Sequence, residues 1–562
     1  MGLPSHADSY SESNPDPATP AARGRRTALA TLFRRAEVEP NKLFGSFPLT
    51  DDIEDGFRDF TFAELAKAID ACAWHLKEVF GTSEKFEAIL YMGTNDFRYT
   101  IIMYAAIKCG FQALFINPRY PIGGIMAVIE KMDCFKACYS PEEQSVIENI
   151  QSRRPGFEAS EFASLTHWLD AEPKPFPYNK TWEESKNDPA LSVHSSGTTG
   201  LPKPITFKNG YFTTTDVSWP VPPGKRNLHP VAGIEGCQMA FSIFPQAHAG
   251  GLIMNNIRTI YSNCASVMLP ARADYTRSAP LVLEIMRRKA VDTLSATPLL
   301  LENICKLPGG VEALCKLHSI LNAGGPLRPN VAETIAANKI FTLNIYGATE
   351  LGFIPAVDVD PEDYEYFHFN PYYKPVFEPV GDDVGSHELV IRKPPGPEGE
   401  ELHLKRGITW SFGVDEHRTK DLFVPHPTKP DLWKYYGRTD DILVLAHAGK
   451  INPIPLEDII STHPGVSGTF VTGEYRFPPA ILVEPAQKVA DHKLFIDDIW
   501  PVIEKANAKL RKEMRIPKDM VAVLEEQGLS RGIKGQIVRK TNVQKHGDVI
   551  DKLYAEREKV AS

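Results

Sequence analysis

Short apolar runs alternate with helically spaced ones from residue 62 onward, and no other feature of this 562-residue chain restricts its fold as much. Residues 62–79 carry Leu65, Ile69, Ala73 and Leu76 at helical spacing behind Thr61, a residue suited to an N-cap. The run 88–92 predicts a strand, 97–109 a helix, 112–116 a strand stopped by Asn117-Pro118, 121–132 a helix and 137–140 a strand. The pattern returns through 285–289, 293–296, 298–305, 320–323, 331–337 and 342–346. Helices interposed between strands imply parallel pairing, so the expected class is α/β with parallel sheets. Glycines stand directly after strand ends, at 324–325 and 347, where ligands of open α/β sheets bind. Past residue 360, prolines and acids crowd β-type segments such as 387–391. A smaller unit begins near Leu432, with strands expected at 441–445, 468–472 and 480–483 and a helix at 496–511.

Composition narrows the function classes. A net charge of −9 without an extended basic block argues against nucleic acid as a partner. No apolar run reaches the ~20 residues of a membrane span, and 101–115 reads as a buried helix leading into a strand. Eight cysteines in so long a chain do not make a disulfide framework; Cys134 and Cys138 lack a second Cys/His pair and read as buried thiols in a reducing, cytoplasmic setting. Residues 1–22, rich in Ser, Pro, Ala and Asp, are expected to be disordered. The Arg-rich stretch 23–35 has acids on both sides, unlike a transit peptide.

Residues 195–204 read Ser-Ser-Gly-Thr-Thr-Gly-Leu-Pro-Lys-Pro. Glycines let the backbone turn its N–H groups around an anion. The hydroxyls of Ser195, Ser196, Thr198 and Thr199 add donors, and Lys203 adds a point charge. Such a loop suits a polyphosphate, although G-x-x-x-x-G-K-[ST] cannot be laid over it.

The segment resembles the phosphate loop of the adenylate-forming superfamily, which includes acyl-CoA synthetases, luciferases and the adenylation domains of nonribosomal peptide synthetases. Further resemblances come in the family's order. Residues 344–350, Asn-Ile-Tyr-Gly-Ala-Thr-Glu, resemble N-x-Y-G-x-T-E; Thr419-Lys420-Asp421 resembles T-G-D with lysine in place of glycine; 437–441 resembles the G-R-x-D hinge; 449–453 with Glu457 resembles the loop and helix start after that hinge. Pro204 and Asn452-Pro453 are similar to one subgroup, the fungal NRPS-like carboxylic acid reductases, whose adenylation domain feeds a carrier and a terminal reductase.

The resemblance implies a large N-terminal domain of α/β subdomains with parallel sheets plus a β-rich part, and a small α+β C-terminal domain joined by a hinge. Its limits would be a 1–22 extension, a 23–437 AMP-binding part, with 23–35 in its first helix, and a mobile 438–562 part. It implies that a carboxylic acid attacks the α-phosphorus of ATP while pyrophosphate leaves. Both partners are anions, so the site must neutralise charge and hold an in-line geometry. Glu350 matches the Mg²⁺-binding glutamate and Thr349 a residue that hydrogen-bonds the α-phosphate. Tyr346 matches the residue that stacks on adenine, followed by Gly347, and Ala323, Gly324 and Gly325 the opposite wall. Asp421 matches the acid that accepts the ribose hydroxyls, Arg438 a second ribose contact and Asp440 the hinge residue.

Residues 242–251, Ser-Ile-Phe-Pro-Gln-Ala-His-Ala-Gly-Gly, match the segment beside the reacting acid. Relatives that activate amino acids place an aspartate here to pair with the α-ammonium. This segment has no carboxylate, so the expected substrate lacks an α-amino group, with an aryl acid preferred. His248 matches a histidine near that carboxylate. In the last motif the usual lysine position holds Gln536, and Lys534, two residues earlier, is assigned its role. The acceptor would be a phosphopantetheine thiol on a carrier domain of the same parent polypeptide, with a downstream reductase. A free-standing acyl- or aryl-CoA ligase and a catalytically weak adenylate-binding module are the alternatives. A hydrolase is disfavoured because no G-x-S-x-G elbow is present.

Overall fold

A computed structural model describes residues 16–17, 19–195, 202–229, 231, 234–273, 278–325, 327, 329–382, 384–447, 450–524, 528–531 and 537–561. The chain packs as two compact units. One comprises the described residues up to Ser195 with those of 201–375 and 392–417; the other comprises 376–391 and the described residues from Arg418 onward.

The first unit holds two sheets built as the alternation implies. In one, the strand order is Glu158–Glu161, Lys136–Tyr139, Ala88–Met92, Gln112–Phe115, Pro189–Ser195 and Lys203–Lys208, parallel except for the last, antiparallel pair. In the other it is Thr342–Asn344, Ser319–Asn322, Thr293–Ala296, Met239–Ser242, Ala265–Val267, Leu43–Pro48 and Phe57–Thr61, again parallel up to an antiparallel edge pair. Both faces of these strands are covered, which is why Ala88–Met92 is a continuous apolar run with every residue buried. Phe62–Phe80 is the expected helix, opened by a reciprocal cap: Thr61 Oγ1 accepts from Glu64 N and Glu64 Oε2 accepts from Thr61 N. Cys134 and Cys138 are buried free thiols.

Ordered chain reaches into the segment expected to be disordered. Pro20–Ala22 forms a 3₁₀ turn with Ala22 buried, and Asp16 pairs with Arg34 of the helix Ala28–Val38 at 2.8 Å. The strand expected at 342–346 stops at Asn344: Ile345 N makes the last ladder bond, to Asn322 O, and Asn344 Nδ2 donates to Tyr364 O. Tyr346–Ala348 then opens a separate antiparallel pair with Gly352–Ile354.

The second unit begins with antiparallel strands Val376–Pro379, His387–Arg392, Glu416–Pro425 and Leu432–Arg438, the first and last clamped by Phe377 stacking on Trp433 at 3.8 Å. Beyond them Val466–Thr472, Ala480–Pro485 and Val521–Val523 form a small mixed sheet. Two expectations are corrected here. Thr439–Asp441 is a 3₁₀ turn, leaving only Leu443–Val444 as strand, because the carboxylates of Asp440 and Asp441 face Lys420 and Arg539. The helix expected at 496–511 is His492–Asn507: Asp491 caps it by accepting from Lys493 N and Leu494 N, and Asn507 ends it by bonding both backbone groups of Ile516.

Candidate active site

The hydroxyl-rich loop leaves from one strand and returns on its antiparallel neighbour. Ser195 is the register partner of Lys203, so the two ends of the loop lie side by side on a strand ladder, with Lys203 exposed. Ser196, Thr198 and Thr199 lie outside the described residues. The preceding residue, His194, is buried; its Nε2 accepts from Asn117 N at 3.4 Å, which leaves the ring proton of the neutral form on Nδ1. Burial pulls its pKa down to about 4, so the imidazole is neutral at physiological pH. Tyr120 meets this ring edge-on at 4.6 Å, and His248 stands 6.1 Å away. Sequence motifs do not single out His194; its place one residue before the loop is the available signal.

His248 sits at the N-cap of a helix that begins at Ala249, at the carboxyl end of the Met239–Ser242 strand. Ala323–Gly325 follow the carboxyl end of the Ser319–Asn322 strand, two strands along the same sheet, held by Ala323 N on Ala296 O and by Asn322 Nδ2 on Gly325 O at 3.2 Å. Tyr346 is nearly buried and meets Phe369 edge-on at 5.7 Å and Phe367 at 6.0 Å. Gly347 cannot carry a side chain, since a Cβ there would collide with the Gly352 carbonyl across the pair. Thr349 and Glu350 occupy the turn of this hairpin, part-exposed, with Thr349 O accepting from Tyr211 Oη at 3.1 Å. Glu350 thus offers a carboxylate at a turn tip, an oxygen donor of the kind Mg²⁺ takes together with phosphate oxygens.

In the second unit Asp421 and Arg438 are register partners on adjacent strands, and Arg438 Nη1 donates to Asp421 Oδ1 at 3.3 Å. Asp421 N donates to Thr419 Oγ1, which fixes the strand at this point. Burial disfavours the Arg438 cation, but Asp421, Tyr435, Asp440 and Asp441 together raise its pKa above the usual value. Lys420, in place of the usual glycine, keeps the left-handed backbone that glycine would favour, with φ of +63°. Its side chain turns to Asp440.

Beside the 437–441 segment, Arg539 Nη2 pairs with buried Glu457 at 2.6 Å, Arg539 Nη1 donates to Val471 O, and its Nε lies 3.8 Å from Asp441. Lys534 and Gln536 lie outside the described residues, but the chain on either side is tied together by the Arg531–Ile537 bridge and by Val538 N on Ser530 O at 3.0 Å.

The AMP-binding enzyme family model matches residues 32–370, and the AMP-binding enzyme C-terminal domain model matches 440–558. The chain belongs to the AMP-binding, adenylate-forming enzyme family. It is 28% identical over 95% of its length to a carboxylic acid reductase of Neurospora crassa, covering 51% of that protein. It is 30% identical over 95% of its length to the isocyanide synthase-NRPS hybrid crmA of Aspergillus fumigatus, covering 34% of it. To the adenylate-forming reductase Nps11 of Serpula lacrymans it is 27% identical over 92%, covering 48%. The chain therefore spans about half the length, or less, of these relatives.

Among solved structures, the anthranilate CoA ligase AuaEII in complex with anthranoyl-AMP superimposes with a TM-score of 0.68 at 17% identity, over 92% of this chain and 96% of that one. The o-succinylbenzoate CoA synthetase MenE of Bacillus subtilis, in complex with ATP and magnesium, does so with a TM-score of 0.67 at 16% identity, over 91% and 98%. The fold is that of these enzymes. Among the described residues no helix is long and apolar enough to cross a membrane.

Proposed function

We propose that this chain is the adenylation part of a carboxylic acid reductase: it uses ATP and Mg²⁺ to convert a carboxylic acid without an α-amino group, preferably an aryl acid, to its acyl adenylate, then passes the acyl group to a phosphopantetheine thiol. The observation that carries this reading is the ladder pairing of Ser195 with Lys203, which closes the hydroxyl-rich loop and puts a cation at its mouth.

In this reading the hydroxyls of Ser195, Ser196, Thr198 and Thr199, with Lys203, hold the triphosphate, and Tyr346 and Ala323–Gly325 flank adenine. Asp421 accepts from the ribose hydroxyls, oriented by the Arg438 bond, and Arg438 makes a second ribose contact. Bound at Glu350, Mg²⁺ would neutralise phosphate charge. Thr349 donates to the α-phosphate, and His248, across from neutral His194, orients the attacking carboxylate. Lys534 supplies the cation that stabilises charge building on the phosphorus. Rotation about Asp440 in the small 438–562 part then admits the thiol. A carrier and a reductase in the parent polypeptide, in the cytoplasm, would complete the pathway; the length and names of the relatives support this.

Acid-dependent exchange of labelled pyrophosphate into ATP tests the reading. Exchange is expected with aryl or other non-amino acids and absent with α-amino acids. Preference for α-amino acids would overturn the substrate class. Acyl transfer to a phosphopantetheinylated carrier, compared with transfer to CoA, separates the two acceptors.

A further inference from the structure

The seven-stranded sheet reverses its strand order at Met239–Ser242: the chain next enters Ala265–Val267 on one side and Thr293–Ala296 on the other. Open α/β sheets take ligands in the crevice outside the carboxyl ends of such strands. Ser242 and Ser295 are register partners across this reversal, and the helix behind His248 starts beside it. That helix changes gauge. It runs as α-helix over Ala249–Leu252, as a π turn over Ile253–Ile257, and as α-helix again over Arg258–Tyr261. Wide turns of this kind recur at functional sites.

Gly250, Met254 and Arg258 fall on one stripe of the helix. The stripe starts at open space, since no atom lies within 4 Å of a Cβ added at Gly250, whereas a Cβ at Gly251 would strike the Pro245 carbonyl. It ends at Arg258, which is fully buried. Arg258 Nη1 donates to Ser295 Oγ at 3.3 Å and lies 3.8 Å from Met254 Sδ. Its Nε and Nη2 have no hydrogen-bond partner, and no carboxylate pairs with it, among the described residues. Other buried arginines here are better provided for: Arg26 by Asp216 at 2.7 Å, Arg98 by Asp96 at 2.8 Å, and Arg406, whose Nε alone lacks a partner among the described residues, by the carbonyls of Arg392, Tyr373 and Lys374. The two unused donors of Arg258 are the side-on edge of the guanidinium, the edge a carboxylate takes with both oxygens.

We propose that Arg258 sets the specificity of the acid-binding crevice by receiving the distal carboxylate of a dicarboxylic acid whose other carboxylate is activated. This rests on the adenylation reading and names its substrate class. A rise of about 1.5 Å per residue places the Arg258 backbone about 15 Å along the helix from His248, and its side chain leans back toward the helix start. The remaining span suits an aryl or short-chain diacid. Met254, unbranched and deformable, lies one turn before Arg258 with its Sδ 3.8 Å from Nη1 and can re-pack around such a chain. Without an anion, burial lowers the Arg258 pKa; a carboxylate on its free edge reverses that effect.

The test is pyrophosphate exchange by the wild-type protein with matched acids: 4-methylbenzoate against benzene-1,4-dicarboxylate, and 4-methylcinnamate against 4-carboxycinnamate. At least one diacid is expected to exceed its methyl partner in kcat/KM by about 100-fold or more, a floor below the roughly 10⁴-fold by which a site built for a polar group rejects an analogue lacking it. Arg258→Met should reverse that order, mainly through KM for the diacid, with Arg258→Lys in between. If the Met variant does not fold, the wild-type comparison decides by itself. Exchange with methyl acids equal to or better than with both diacids overturns the assignment and leaves adenylation standing. No exchange with any acid overturns both.

Discussion

Lys420 Nζ lies 3.1 Å from Asp440 Oδ1 and 3.2 Å from Oδ2, so the residue standing where the family has glycine is tied to the residue proposed as the hinge. The pair is half-exposed and of the kind that contributes about 0–1 kcal/mol. Against it stands the strain of a lysine in left-handed backbone, of order 1 kcal/mol or more.

These opposing terms give a ranking. Lys420→Gly relieves the strain and loses the pair, so its urea midpoint should match or exceed that of the wild type. Lys420→Ala loses the pair and keeps the strain, so it should unfold earliest of the three. An alanine variant as stable as the glycine variant would mean that the left-handed backbone carries no strain.

The Arg539–Glu457 pair makes a pH-dependent prediction. Burial raises the Glu457 pKa, against the pull of Arg539 and of the Val471 N–H. Between the ordinary carboxylate pKa and the raised one, the folded state binds more protons than the unfolded state, so stability falls as pH rises through that window and levels above it. Arg539→Met removes one lowering influence and extends the window upward. It should cost about 3–5 kcal/mol at neutral pH, and less at pH 5 than at pH 8. Adding Glu457→Gln should reduce that extra dependence to the share of Asp441, whose raised pKa Arg539 also pulls down, as chemical denaturation across pH would report.

Much of the fold is legible in the sequence because burial on both faces writes itself as apolar runs: Ala88–Met92, Thr293–Ala296 and Pro298–Cys305 lie where the sequence puts them. The remainder depends on long-range contacts. The strand end at Asn344 goes with a bond to Tyr364 O, the 3₁₀ turn at Thr439–Asp441 with Lys420 and Arg539, and none of these partners is local. The helix start at His492 does carry a local signal, Asp491, but the apolar spacing that suggests a helix begins only further on. The residues proposed for the site are those that motifs single out, whereas His194 and Arg258 are not motif residues. Their significance lies in a suppressed titration and in unused donors, which spacing does not encode.

Asp421→Asn keeps the shape of the side chain but loses a charge and one acceptor. If Asp421 holds the ribose, KM for ATP should rise about 10–100-fold, the value of a hydrogen bond to a charged group, with a smaller change in kcat. Steady-state exchange kinetics at varied ATP would read this, and an unchanged KM would remove Asp421 from the nucleotide site.

Lys534→Ala should slow adenylation by about two or more orders of magnitude, the scale of removing one preorganised donor, while ATP affinity changes little. Gln536→Ala should have a much smaller effect. A rapid-quench measurement separates the two, and a Lys534→Ala protein that adenylates at the wild-type rate would return the role to another residue.

The most direct measurement is a single turnover of the protein with ATP, Mg²⁺ and an acid substrate, quenched and read by mass spectrometry. Acyl-AMP and pyrophosphate are expected in equal amounts, formed only when the acid is present. Release of ADP and phosphate instead, or ATP left intact with every acid offered, would contradict adenylation.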